Sequence, residues 1–245
     1  MLKTLNILFP PPMIVLGLLA LIIVWIGNAL APEVLPFDVT SLLITKGNLF
    51  TWIGAAWPIL LWGLIFQFSI SFVAIKHNPD TLTKMTGRNL SSIQYFGITS
   101  IISLRAGVYE EIIYRWLLFF SGMFVIQALD FVFLGFLGLH IVEWFQVTIF
   151  IPVTSWVSFG YLDKMLYHEV GWYVGAALVV ANTSFRDQHK HLGVLGWLNS
   201  WCLGLFLFWM VFTYGLLAAI VAHALYDIIV FSSLWPALKK YKVVT

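Results

Sequence analysis

Residues 93–126 read IQYFGITSIISLRAGVYEEIIYRWLLFFSGMFVI, and this stretch decides the fold class. A membrane crossing takes about 20 apolar residues. The stretch is too long for one crossing and is cut by Arg105, Gly107, Glu110, Glu111 and Arg115, which predicts two helices with the charges near a helix end. Outward from it, apolar runs recur along the chain, at about 13–26, 50–75, 131–159, 172–183, 194–212 and 214–234. The composition agrees: 61% of the 245 residues are hydrophobic and 10% charged, with a mean hydropathy of +0.94, whereas soluble domains are about a quarter charged. Spans of about 20 residues with short connections allow roughly eight crossings and leave no separate soluble domain. The expectation is an all-α, polytopic transmembrane bundle of about eight helices, one domain over residues 1–245.

The first run follows Lys3 and the triplet Pro10, Pro11, Pro12 and ends near Ala29-Leu30-Ala31. That pattern resembles a cleavable signal peptide, but the prolines also suit the interfacial entry to a helix, so we read it as a retained first span. Lysine and arginine gather on the cytoplasmic side of membranes. Here they mark the start (Lys3), the loop after the second span (Lys76, Lys84, Arg88) and the tail (Lys239, Lys240, Lys242), while the loop 32–48 holds Glu33, Asp38 and only Lys46. Both termini are therefore expected in the cytoplasm, with an even number of crossings, six or eight. No internal repeat of the transporter kind is visible. The net charge of +2 is spread over short loops, so there is no footprint for nucleic acid. The single cysteine, Cys202, can form no internal disulfide.

Ionisable groups inside apolar sequence carry the functional information, because each costs about 2.5–3.5 kcal/mol at a helix centre on insertion scales. Glu110, Glu111, Arg115 and Asp227 together would cost roughly 10 kcal/mol against lipid, so they must face protein or water. Glu111 and Arg115 are four apart and share a helix face, while Glu110 turns about 100° away, with Tyr114 beneath it. A glutamate in an apolar cavity suits general-base work; a structural ion pair between helices is the equal alternative. Phe185 and His189, beside Arg186, Asp187 and Lys190, also share a face, and these charges place the segment at a membrane surface or wet cavity; a polar loop with incidental histidines is the plain alternative. His223 and Asp227 repeat the four-residue spacing, either as a buried contact or as donors to an oxyanion. Phe136 and His140, with Glu143, have the same spacing on a helix starting near Phe131 and are read as packing or as support for a neighbouring site. His77 and His168 are expected in solvated loops.

Glu-Glu-x-x-x-Arg, Phe-x-x-x-His and His-x-x-x-Asp, in this order on apolar helices, resemble the three motifs of the CPBP family. These are the CAAX-protease and bacteriocin-processing (Abi) intramembrane proteins, related to type II CAAX prenyl endopeptidases. The resemblance covers about 108–230 as the core; residues 1–100 share only hydrophobic spans. It implies a buried polar cavity and hydrolysis of a peptide bond in or beside the membrane. Glu110 would activate water with help from His189, Glu111 and Arg115 would position the helix or contact substrate, and His223 and Asp227 would stabilise the oxyanion. Two features depart from the pattern. His189 follows Glu110 by 79 positions, which implies an extra hairpin around 140–171 or makes His140 the second-motif histidine; we prefer His189. Residue 227 is Asp where the best-understood members carry Asn, and a charged carboxylate cannot donate a hydrogen bond.

No cofactor is expected, although Glu, His and His could ligate zinc with an open water position. The implied partners are membrane lipids and a membrane-associated or lipid-anchored peptide or protein substrate. Two other functions fit the same residues: a non-enzymatic immunity or partner-binding relative, and a proton- or metal-coupled transporter.

Overall fold

The computed structural model describes residues 11–77 and 91–240. Lys3, Pro10, Lys84, Arg88 and Lys242 lie outside the described residues, as do the side chains of Lys76, His77 and Lys240. Every regular element among the described residues is helical. Among the described residues, four stretches are long and apolar enough to cross a membrane: Leu49–Gln67, Ser92–Val132, Lys190–Tyr214 and Leu216–Pro236. Two shorter apolar helices cover Ile14–Leu30 and Ile141–Val157.

The chain divides into two compact units. The first comprises the chain up to Lys46 together with Tyr109–Leu217. Its centre is helix α8 (Trp172–Gln188), preceded in the chain by α1 (Pro11–Leu30), α4 (Leu118–Val132), α5 (Ile141–Phe145), α6 (Ile151–Val157) and α7 (Asp163–Leu166), and followed by α9 (Gly193–Tyr214). Helix α8 is buried through Val174, Gly175, Ala176, Ala177, Leu178, Val179 and Ala181. Small residues let its neighbours approach closely: a Cβ on Gly122 of α4 would lie 3.3 Å from Ala177, and one on Gly175 would collide with the Leu166 carbonyl. On α1, Gly27 admits the Phe124 ring, which a Cβ would meet at 2.6 Å. Aromatic edges fill the space between α4 and α9, with Phe119 against Phe208 and Phe212 at 5.8 and 5.4 Å. Phe37 packs on Phe120 at 5.6 Å, and the Trp116 indole donates to the Val39 carbonyl at 2.9 Å, which ties the loop 31–46 to this core.

The second unit comprises Gly47–Val108 and the chain from Ala218. It holds α2 (Leu49–His77), most of α3 (Ser92–Glu110) and most of α10 (Leu216–Lys240). Gly63 of α2 receives the Tyr226 ring and Gly107 of α3 faces the Ile220 carbonyl and Ala224 of α10, again small residues where helices meet. The Tyr95 hydroxyl donates to the Phe231 carbonyl at 2.7 Å, and its ring packs on Trp235 at 5.0 Å.

Two expectations are corrected here. Residues 93–126 hold the two expected helices, α3 and α4, but no turn separates them: a π-helical segment, Glu111–Leu117, joins them into one run, Ser92–Val132, of 41 residues. Its charges sit in mid-run, at a change of winding, because Glu111 and Arg115 are turned into the protein and need no helix end to reach water. Nor does a helix start near Phe131. Helix α4 stops at Val132, and the chain turns through Leu134 and His140, both with left-handed φ (+72° and +40°), before α5. A second π segment, Gln146–Phe150, precedes α6, whose Pro152 has no N–H to give the preceding turn.

Candidate functional site

The π segment carries the first motif. A π turn adds a residue to the helical turn and recurs at functional sites; here it still leaves Glu111 and Arg115 on one side, with Arg115 Nε 3.3 Å from Glu111 Oε2. Both side chains are completely buried. Burying a guanidinium demands compensation, and Arg115 finds it on three sides. Glu110 as well as Glu111 lies within electrostatic reach, and the guanidinium stacks 3.9 Å from the Phe185 ring centroid and 5.5 Å from that of Phe208. The expected separation of Glu110 from the ion pair is thus only partial. Glu110 is half-buried.

Phe185 joins the second motif to the first. Its ring, buried in α8, meets Tyr114 edge-on at 5.6 Å and the His189 imidazole at 4.8 Å. One ring therefore touches Tyr114, Arg115 and His189. His189 caps the end of α8 with Nδ1 2.9 Å from the Phe185 carbonyl. A carbonyl only accepts, so Nδ1 carries a proton, and in the neutral form of the ring Nε2 is the acceptor nitrogen. That nitrogen can accept a hydrogen bond from water or bind a cation.

Beyond His189 the surface is charged, as the sequence suggested. Asp187 receives the Lys190 ammonium at 2.8 Å, Arg186 at 3.0 Å and the Trp197 indole N–H at 2.9 Å. The Lys190 hydrogen bond first, then those from Trp197 and Arg186, hold the Asp187 carboxyl down at about 2.

The third pair belongs to the second unit. His223 is buried and Asp227 partly exposed, with Nε2 3.9 Å from Oδ2. That is beyond hydrogen-bond length, so the contact is electrostatic.

The structure adds a residue that motif reading left without a role. Asn182, fully buried on α8, donates from Nδ2 to the Trp201 carbonyl at 3.1 Å. This turns Oδ1 toward Gly204, where a Cβ would collide with it and lie 3.1 Å from Arg115 Nη2. Oδ1 and both terminal nitrogens of Arg115 lack a hydrogen-bond partner, so an acceptor and donors face one notch. A polar residue inside the apolar run 172–183 was the available signal.

His140 departs from its expected packing role. It is 54% exposed, its Nδ1 is 2.6 Å from Asp130 Oδ2 and 3.8 Å from Glu143 Oε2, and the Asp130 hydrogen bond raises its pKa above the ordinary histidine value. Phe136 lies in a short 3-10 turn, Gly135–Leu137, so the pair shares no helix face. Among the described residues, Asp130, His140 and Glu143 are the one group of three whose ligating atoms lie within 4.8 Å of one another. His168 is half-buried in the turn before α8.

Comparison of the chain with protein-family models, with curated proteins and with solved structures returned no match.

Proposed function

We propose that the chain is a polytopic integral membrane protein, with both termini in the cytoplasm, that hydrolyses a peptide bond of a membrane-associated or lipid-anchored substrate. Large apolar side chains on the helix surfaces, among them Trp25, Phe50, Ile93 and Trp156 at 75–87% exposure, suit lipid rather than water. The observation that supports the enzymatic reading is the Phe185 ring, which meets Tyr114 and Arg115 of the first motif and His189 of the second. Two weak motifs separated by 79 positions thereby share a locality.

In this reading Glu110 takes a proton from water while His189 Nε2 accepts the water's second hydrogen bond. The resulting hydroxide attacks the carbonyl carbon, and the carbonyl electrons move to oxygen. Collapse of the tetrahedral intermediate breaks the C–N bond, and Glu110 returns the proton to the leaving amine. Glu111 and Arg115 hold the segment against Phe185. The oxyanion role of His223 and Asp227 comes from the resemblance to CPBP proteins alone.

The test is cleavage of a library of membrane-tethered peptides by purified protein in liposomes, with and without chelator. Glu110→Ala is expected to lower the rate by about 10²–10⁴-fold, and His189→Ala and His223→Ala to lower it as well. Wild-type rates in these variants, or no cleavage of any peptide by wild type, would overturn the reading. Loss of activity on chelation would move the water from Glu110 to a metal ion.

A further inference from the structure

We propose that Asp130, His140 and Glu143 form a binding site for one divalent transition-metal ion of the zinc type. The proposal is independent of the peptidase reading, since none of the three belongs to its residues.

The argument begins with placement. The three residues come from the end of α4 and the start of α5, yet a ligating atom of each lies within 4.8 Å of the other two. His140 Nδ1 is 2.6 Å from Asp130 Oδ2 and 3.8 Å from Glu143 Oε2, so a small rotation of exposed side chains brings three donors around one point. One imidazole with two carboxylates matches zinc, manganese or ferrous iron; calcium and magnesium prefer oxygen alone, and a copper(I) site would want sulfur.

The ligand that cannot swing is already aimed. The Asp130 side chain is 7% exposed, and its other oxygen accepts from the Glu143 backbone N–H at 3.0 Å. Metal-binding carboxylates are commonly fixed by such outer hydrogen bonds. The following turn closes on it: a Cβ at Gly135 would lie 2.5 Å from the Asp130 carbonyl oxygen and 3.3 Å from Oδ2. His140 is delivered by a left-handed backbone, φ +40°, which points its ring back toward α4. Strained residues of this kind collect where side chains must be held for a task. His140 and Glu143 are 54% and 39% exposed, which leaves a path for the ion and room for water to complete its shell. Without metal, the Asp130–His140 contact is a hydrogen bond through one proton. Uptake of the ion at Nδ1 releases that proton to solvent, so binding is pH-dependent. The bound ion would pin the start of α5 to the end of α4.

The experiment uses the full chain in detergent, stripped with chelator, titrated with Zn²⁺ by calorimetry and with Co²⁺ by visible absorption. Wild type is expected to take up one ion per chain. His140→Ala and Glu143→Gln alter exposed side chains, so folding is preserved, and melting of the metal-free variants checks it. Each is expected to weaken Zn²⁺ binding at least tenfold and to lose the Co²⁺ ligand-field band. No saturable uptake by wild type, or weakening of less than tenfold in either variant, overturns the proposal.

Discussion

Gly204→Ala is a one-carbon change whose consequence can be worked out from the structure. The added methyl would collide with Asn182 Oδ1 and lie 2.9 Å from Phe185 Cδ1 and 3.1 Å from Arg115 Nη2. None of these neighbours can yield cheaply. Asn182 is tied to the Trp201 carbonyl, Phe185 is wedged between Tyr114 and His189, and Arg115 is pressed on Phe185 at 3.9 Å. Overpacking a tight site costs about 1–3 kcal/mol, and disturbing the guanidinium's stack adds about 0.5–2 kcal/mol. The expected destabilisation is therefore about 1.5–5 kcal/mol, read as a fall in tryptophan-fluorescence Tm in detergent of about 2–4 °C per kcal/mol. Gly97→Ala is the control: nothing lies within 4 Å of a Cβ there, and alanine in a helix is expected to stabilise by up to about 1 kcal/mol. Truncating the clashing partner supplies the decisive arm. Asn182→Ala with Gly204→Ala should be less destabilised than the sum of the singles by at least about 1 kcal/mol. A Gly204→Ala protein as stable as wild type, or strict additivity in the double variant, would refute the notch.

Two further outcomes follow from the charges. Removing one partner of the buried Glu111–Arg115 pair, in Glu111→Gln or Arg115→Met, is expected to destabilise by about 3–5 kcal/mol, whereas the apolar double replacement Glu111→Leu with Arg115→Met recovers most of it; thermal melts of the three variants decide, and a double variant as unstable as the singles contradicts the geometry. At the α8 terminus, the Asp187 carboxyl is depressed from 3.8 to about 2. A depressed acid contributes stability fully above its unfolded value and loses it as pH falls through the folded one. The Tm difference between wild type and Asp187→Asn should thus stay constant from neutral pH to just above 4 and shrink between 3.8 and about 2; a gap already closing above pH 5 would contradict the ion-pair assignment.

What the sequence made legible is what depends on spacing alone. Glu111 with Arg115, Phe185 with His189, and His223 with Asp227 are each four apart, and in each pair the side chains do meet. The apolar runs likewise mark α1, α2, α8, α9 and α10 to within a few residues. Winding was not legible. Over seven residues, Glu111–Leu117, a π segment and an α turn present much the same pattern. Charges in mid-run were taken to seek a helix end, but an aromatic face and two carboxylates let Arg115 stay inside. The turn before α5 was hidden for a different reason: of its left-handed residues Leu134, Gly138 and His140, only one is the glycine that such a backbone leads one to expect. Missing that turn put Phe136 and His140 on one helix and left Asp130, ten positions upstream, without its partner.

The same reasoning bears on the buried setting of Arg115. A buried ion pair is weak evidence of stabilising design, because well-packed apolar side chains usually serve as well or better. Here the pair sits on a π segment, with Arg115 Nη2 and Asn182 Oδ1 both lying against the place that a Cβ on Gly204 would take. The surroundings of the guanidinium therefore depend on the missing side chain at residue 204, and the Gly204→Ala and Asn182→Ala arms test that dependence.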